Sequence, residues 1–230
     1  LRSHNRSEEK NSRFVSEIQI ARDNSAIIPG IIPVIDYSID DYWYTMPIAQ
    51  PVMDFINEKT LDEIIDGVLL LCETLGRLHD KGIHHRDIKP SNIYYYDGRF
   101  AFGDFGLVDF PDNDDFTKSD RGLGAIFTIA PEMKRNPKLA DASKADVFSL
   151  AKTLWMFLSG DEKGFDGVYN YLDQSHSLRY ISQFKEEHLV EIDELLKDST
   201  ENNPDLRPDI HEFTRRLLQW REIARDFDRS

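Results

Sequence analysis

His85-Arg86-Asp87-Ile88-Lys89-Pro90-Ser91-Asn92, followed twelve residues later by Asp104-Phe105-Gly106, decides how this chain reads. The stretch spaces a carboxylate, an ammonium, an amide and a second carboxylate at intervals suited to moving a phosphoryl group. Such a transfer asks little covalent chemistry of a protein; positioning, metal binding and charge neutralisation carry it. Asp87 is placed to orient an attacking hydroxyl and accept its proton. Lys89 can reach the same phosphate. Asn92 and Asp104 offer hard oxygen donors of the kind Mg²⁺ takes.

The flanks on both sides build a frame for that loop. Thr60-Leu61-Asp62-Glu63 is a capping box, opening a helix that runs to about His79. Leu61, Ile64, Ile65, Val68, Cys72, Leu75 and Leu78 recur along it at three- and four-residue steps, a stripe for burial. After Asn92, Ile93–Tyr96 and Arg99–Phe102 flank the turn Asp97-Gly98 and predict a hairpin that delivers Asp104 beside the loop. Upstream, residues 14–26 read as a helix with Phe14, Ile18 and Ala21 on one side and Glu17 next to them, broken at Pro29-Gly30. Ile31–Tyr37 and Tyr42–Ile48 then read as two strands joined by a polar turn. Downstream, Asp141-Ala142-Ser143 caps a helix carrying Val147, Leu150, Leu154, Phe157 and Leu158. A final helix spans Asp209 to about Asp226.

Composition sets outer bounds. The 230 residues are 40% hydrophobic, enough for one sizeable core or two small ones. The net charge of −14 argues against a nucleic-acid partner, because a phosphate backbone is bound through lysine and arginine. Cys72, the one cysteine, sits in the apolar run Val68-Leu69-Leu70-Leu71-Cys72 and reads as a core residue. A reducing, cytoplasmic setting fits it. No stretch approaches the ~20 apolar residues of a membrane span, and the polar start Leu1-Arg2-Ser3-His4 is no signal peptide. His79 and His84 lack the carboxylates or cysteines that metal-site spacing would need, and read as packing or loop residues.

Taken together, the loop and its order of signals resemble the eukaryotic-type protein kinases, serine/threonine branch. Besides the catalytic loop and the Asp-Phe-Gly motif, the likeness rests on Ala130-Pro131-Glu132, on Asp146-Val147-Phe148-Ser149-Leu150 and on Asn203-Pro204-Asp205-Leu206-Arg207-Pro208, and it extends from about residue 13 to 225. It implies an α+β fold: a partial N-lobe over residues 1–48, holding the family's helix C and the two strands after it, and a mainly α-helical C-lobe over residues 49–230, with the helices the family letters E to I. It also implies ATP and Mg²⁺ as cofactors and a serine or threonine hydroxyl of a protein as substrate. Asp87, Lys89 and Asn92 would be catalytic, with Asn92 and Asp104 on the metal. Glu17 matches the glutamate of helix C. Met46 falls at the gatekeeper position, and adenine would bond to the Pro47 carbonyl and the Ala49 backbone. Tyr94 stands beneath the adenine, where the family usually carries leucine. Asp146 is expected to hydrogen-bond the backbone of the catalytic loop, and Arg207 to pair with Glu132.

The chain also departs from that pattern. Neither the glycine-rich loop nor the strand lysine of the family has a candidate before Glu17, so a truncated or partly ordered form with weak ATP binding and poor turnover is expected. Gly124-Ala125 replaces the family's Gly-Thr, removing a hydroxyl whose hydrogen bond is worth about 1 kcal/mol. Arg86 calls for an anion: either phosphate on Thr117 or Ser119, or the carboxylates Asp112, Asp114 and Asp115. Two other functions remain in view. One is a pseudokinase scaffold that binds partners without turnover; the other is a small-molecule phosphotransferase with a similar loop.

Overall fold

The computed structural model describes residues 2–105 and 123–227, with side chains described from 14 to 105 and from 126 to 227. In chain order the elements are α1 (Arg2–Ser25), β1 (Asp36–Ser38), β2 (Trp43–Thr45), β3 (Gln50–Pro51), α2 (Val52–Ile56), α3 (Leu61–His79), β4 (Ile93–Tyr96), β5 (Arg99–Phe102), α4 (Leu123–Thr128), α5 (Pro131–Arg135), α6 (Ala142–Ser159), α7 (Val190–Ser199) and α8 (Ile210–Phe227). Short 3₁₀ turns punctuate the chain, one of them at Pro90–Asn92. The mixed architecture, helical in its larger part, agrees with the α+β expectation.

Helix α3 forms as its sequence dictates. The Thr60 side chain accepts from the Glu63 N–H, while Glu63 accepts from the Thr60 N–H at 2.9 Å, closing the capping box. Ile64, Ile65, Val68, Leu71, Cys72, Leu75 and Leu78 are buried along one stripe. Each fully buried aliphatic side chain there stabilises the fold by about 1.5–3 kcal/mol. Burial pushes the Cys72 thiol up to about 12, as suits a core residue and not a nucleophile. Gly67 lets the Phe100 ring of β5 come close against the α3 backbone, where a Cβ would collide with it. That contact sets the height of the β4–β5 hairpin, and thus of Asp104, over the helix.

Helix α6 lies at the centre, with nearly every side chain from Ala142 to Leu158 buried. A helix apolar on all sides belongs inside a fold, and any polar residue on it must find a partner there. Asp146, Ser149, Lys152 and Thr153 are such residues. Asp146 reaches the catalytic loop, Ser149 the Thr128 carbonyl, and Lys152 the carbonyls of Phe165 and Gly167.

The structure differs from the sequence expectations at four places. Strands 31–37 and 42–48 shrink to the three-residue pair β1–β2, with Asp36 opposite Thr45. The reason is that residues 30–32 pair elsewhere: Ile32 N–H donates to the Phe102 carbonyl at 3.0 Å and Phe102 N–H to the Gly30 carbonyl at 2.8 Å, an alignment against β5. Pro33, without an N–H, cannot extend a ladder back towards β2. A third strand, β3, joins the predicted hairpin, pairing Gln50 with Tyr95 and Pro51 with Tyr94. Finally, no α-helix lies between Ser159 and Val190, although the helices E to I of the resemblance would include one. Gly160, Gly164 and Gly167 all take left-handed φ there, which turns the chain out of any helix. The first helix is longer than expected, beginning at Arg2 rather than near residue 14.

Candidate active site

The Asp87 loop is fixed from below by one carboxylate. Asp146 on α6 is fully buried and accepts the His85 N–H at 2.8 Å on Oδ2 and the Arg86 N–H at 2.7 Å on Oδ1. His79 Nε2, at the end of α3, lies 3.0 Å from the same Oδ2. Arg86 takes a left-handed φ of 65°, a conformation that costs a non-glycine residue about 1–2 kcal/mol. The two charge-assisted bonds from Asp146 offset that strain. The His85 ring is buried between Phe102 and Phe105, with both centroids 4.9 Å away, and burial lowers its pKa, so it packs as a neutral ring.

Above that anchor the reactive groups converge. Lys89 Nζ donates to Asp87 Oδ2 at 2.7 Å. Asn92, buried, donates from Nδ2 to the Asp87 carbonyl and to Oδ2, both at 2.9 Å. Asp87 Oδ2 is therefore doubly held, which leaves Oδ1 as the edge a hydroxyl could approach. With Nδ2 spent on Asp87, the Asn92 Oδ1 is the atom left for a cation.

Asp104 follows the hairpin at a φ of 56°, exposed, while the next residue, Phe105, is buried against His85. The left-handed turn thus splits the pair, ring inwards and carboxylate outwards. Gly103 makes room for this: a Cβ there would meet Tyr94 Cε2 at 2.9 Å, so the Tyr94 ring rests on its backbone.

Glu17 on α1 completes the group. Tyr44 Oη on β2 donates to Glu17 Oε1 at 2.6 Å. Burial raises the pKa of Glu17, Tyr44 opposes that shift, and the Asp104 carboxylate adds to it. Burial, then Glu17 and Asp104, also raise the Tyr44 phenol, and burial followed by Asp104 raises that of Tyr94. Two carboxylates and two phenols share one face, and among the described residues no lysine pairs with Glu17.

A further constraint acts on α5, just after Ala130. Arg207, buried, donates from Nη1 to Glu132 Oε1 at 2.5 Å and from Nη2 to Oε2 at 2.9 Å, a two-pronged pair. Its Nε donates to the Glu201 carbonyl at 2.7 Å.

The profile described as "Protein kinase domain" matches residues 1–226. The chain belongs to the protein kinase domain family.

Relatives of this kinase domain include a protein named as a serine/threonine-protein kinase in Acanthamoeba polyphaga mimivirus, 28% identical over 211 residues, or 85% of this chain and 76% of that protein. The serine/threonine-protein kinase PDK1 of Cryptococcus neoformans is 31% identical over 146 residues, 61% of this chain but 12% of its own length. The ireA serine/threonine-protein kinase of Dictyostelium discoideum is 31% identical over 171 residues, 72% of this chain and 16% of its own. The kinase domain thus spans three quarters of the first and a small part of the other two.

The expected residues fall into three groups. Asp87, Lys89 and Asn92 are in mutual contact, with Asp104, Glu17, Tyr44 and Tyr94 forming an adjoining set. Met46, Pro47 and Ala49 lie in the strand-free link between β2 and β3, with Met46 exposed and Ile48 fully so. Thr117, Ser119, Asp112, Asp114, Asp115 and the Ala125 side chain lie outside the described residues. Tyr44 and Gly103 were not singled out from sequence. Tyr44 stands in a short aromatic run with no motif to mark it, whereas Gly103 follows from Tyr94: a ring that large at that position asks for a residue without Cβ beside it.

Among the described residues no group of three His, Cys, Asp or Glu side chains could hold a metal by itself, and no helix is long and apolar enough to cross a membrane. An amide and one carboxylate suit Mg²⁺ nevertheless, because that ion keeps waters and takes phosphate oxygens as its other ligands.

Proposed function

We propose that this kinase domain transfers the γ-phosphoryl group of ATP to a serine or threonine hydroxyl of a protein. The observation that carries the reading is the double hold on Asp87 Oδ2 by Lys89 and Asn92, on a loop whose backbone is bound by a buried carboxylate. A carboxylate so oriented is pre-set to take up a hydroxyl and accept its proton. Lys89, 2.7 Å from it, stands ready to neutralise charge on the transferred group. Asn92 Oδ1 and Asp104 would hold Mg²⁺, which supplies charge neutralisation on the phosphates when bound. The Arg207–Glu132 pair supports a protein substrate over a small molecule, since it fixes a segment on which a peptide can lie. We divide the domain at the link after β2, into residues 1–48 and 49–230, with adenine bonded along Pro47 to Ala49. A reducing, cytoplasmic setting is the one we assign to Cys72.

A second reading, a scaffold without turnover, draws on one observation. Among the described residues Glu17 is taken by Tyr44 and by no lysine, and its carboxyl faces that of Asp104. On that face ATP without a metal meets negative charge. Nucleotide binding by this chain is accordingly weak and depends on Mg²⁺. Calorimetric titration with ATP tests the point: affinity is expected only with Mg²⁺, and Asp104→Asn is expected to lower it about tenfold or more, or about 1.4 kcal/mol. Equal affinities with Mg²⁺ and with chelator, or in wild type and variant, would remove Asp104 from the metal site.

A further inference from the structure

One buried cation is used by none of the chemistry above. Lys152, on the central helix α6, is 1% exposed. Its Nζ donates to the Phe165 carbonyl at 2.9 Å and the Gly167 carbonyl at 2.5 Å, and lies 3.4 Å from the centroid of the Phe165 ring. It also stands 5.4 Å from Phe148, the ring that Arg207 covers at 4.8 Å. Lys152 therefore holds the loop after α6 by its backbone, at the place where glycines have kept it from becoming a helix.

That loop is pressed onto the segment preceding Ala130-Pro131-Glu132. A Cβ on Gly164, at a φ of 72°, would meet Phe127 Cβ at 3.3 Å and collide with the end of Met156. The neighbouring backbone is gripped in the same way from other elements. Lys134 Nζ on α5 donates to the Ile126 carbonyl at 2.6 Å, and Ser149 Oγ on α6 donates to the Thr128 carbonyl at 2.7 Å. Residues 126 to 128 are thus set by Lys134, by the Lys152-held loop and by Ser149 in succession.

We propose that Lys152 is a positioning residue for the phosphoacceptor protein, acting by fastening the loop of residues 160–170 as a wall behind residues 126–128. The inference rests on the kinase reading and on a peptide lying along that segment. The groups facing Lys152 are Asp166 in the loop, Lys134 on α5 and His176 beyond it, with only Asp166 offsetting the burial that lowers the lysine's pKa to about 7. A released lysine would hold its proton more tightly than the buried one, so the closed loop is favoured as pH rises through that value.

The test compares wild type with Lys152→Met, which keeps the length of the side chain and suits its aromatic surroundings. The readouts are steady-state transfer to casein or histone and hydrogen exchange of the whole chain. The expected result is a KM for the protein about tenfold higher in Lys152→Met, with kcat and the KM for ATP unchanged. In wild type that KM falls from pH 6.5 to pH 8 as the closed loop gains stability, and in the variant it stays flat. Amides of residues 126–128 and 165–167 exchange faster in the variant, while those of α3 do not. An unchanged protein KM, or equal shifts in all three kinetic constants, overturns the proposal. So does unchanged exchange at 126–128, which is readable even in a chain that transfers nothing. Absence of transfer by wild type would count against the kinase reading itself.

Discussion

Replacing Arg207 by alanine should destabilise this fold more than any other single loss of a surface-distant charge. Its guanidinium is fully buried and has three acceptors: the Glu132 carboxylate, the Glu201 carbonyl at 2.7 Å and the Lys144 carbonyl at 3.1 Å. Removing it strands a carboxylate that is itself only 15% exposed, together with two carbonyls. Breaking a buried pair from one side costs about 3–5 kcal/mol. Urea unfolding followed by tryptophan fluorescence reads this well, since Trp155 and Trp220 are buried. With a slope of about 2–3 kcal/mol per molar, the midpoint should fall by about 1–2 M. Arg207→Lys retains a charge but not the fork, and should lose about half as much. In Arg207→Ala with Glu132→Gln, the loss should be smaller than the sum of the two single losses by about 1–3 kcal/mol. A midpoint shift below about 0.5 M, or strict additivity in the pair, would refute the view that this contact anchors the segment.

Two further outcomes follow from packing and charge. Gly67→Ala should cost about 1–3 kcal/mol, because its methyl enters the Phe100 ring, whereas Gly76→Ala on the same helix, whose nearest neighbour is 3.3 Å away, should be neutral or stabilising by up to about 1 kcal/mol in urea melts. Lys152 has a folded-state pKa of about 7 against 10.5 when unfolded, so the unfolded chain holds more protons between those values and stability gains with rising pH. Relative to Lys152→Met, wild type should therefore become more stable by about 1.4 kcal/mol per pH unit over that window, as measured by denaturation at a series of pH values; a flat difference would mean the lysine is not desolvated.

Much of the site was legible because its signals are local. Asp87, Lys89 and Asn92 lie on six consecutive residues, so spacing alone brings them together, and Thr60 with Glu63 closes a cap within one helical turn. Asp146 with the loop at His85, and Arg207 with Glu132, are distant pairs, legible only through resemblance. What escaped was set by competition between partners. Residues 30–32 could pair with β2 or β5, and the choice of β5 shortened the hairpin. Tyr44 is one of several aromatic residues in its run, and only the approach of α1 singles it out. Lys152 carries no motif in the sequence, and its burial becomes tolerable only because an irregular loop offers two carbonyls.

Radiolabel transfer from ATP to casein or histone in the presence of Mg²⁺, wild type against Asp87→Asn, tests the assignment of function most directly. The arrangement predicts incorporation by wild type on serine or threonine and a rate lower by about 100-fold or more in Asp87→Asn, the usual contribution of a positioned base. Equal incorporation by the two proteins would contradict it.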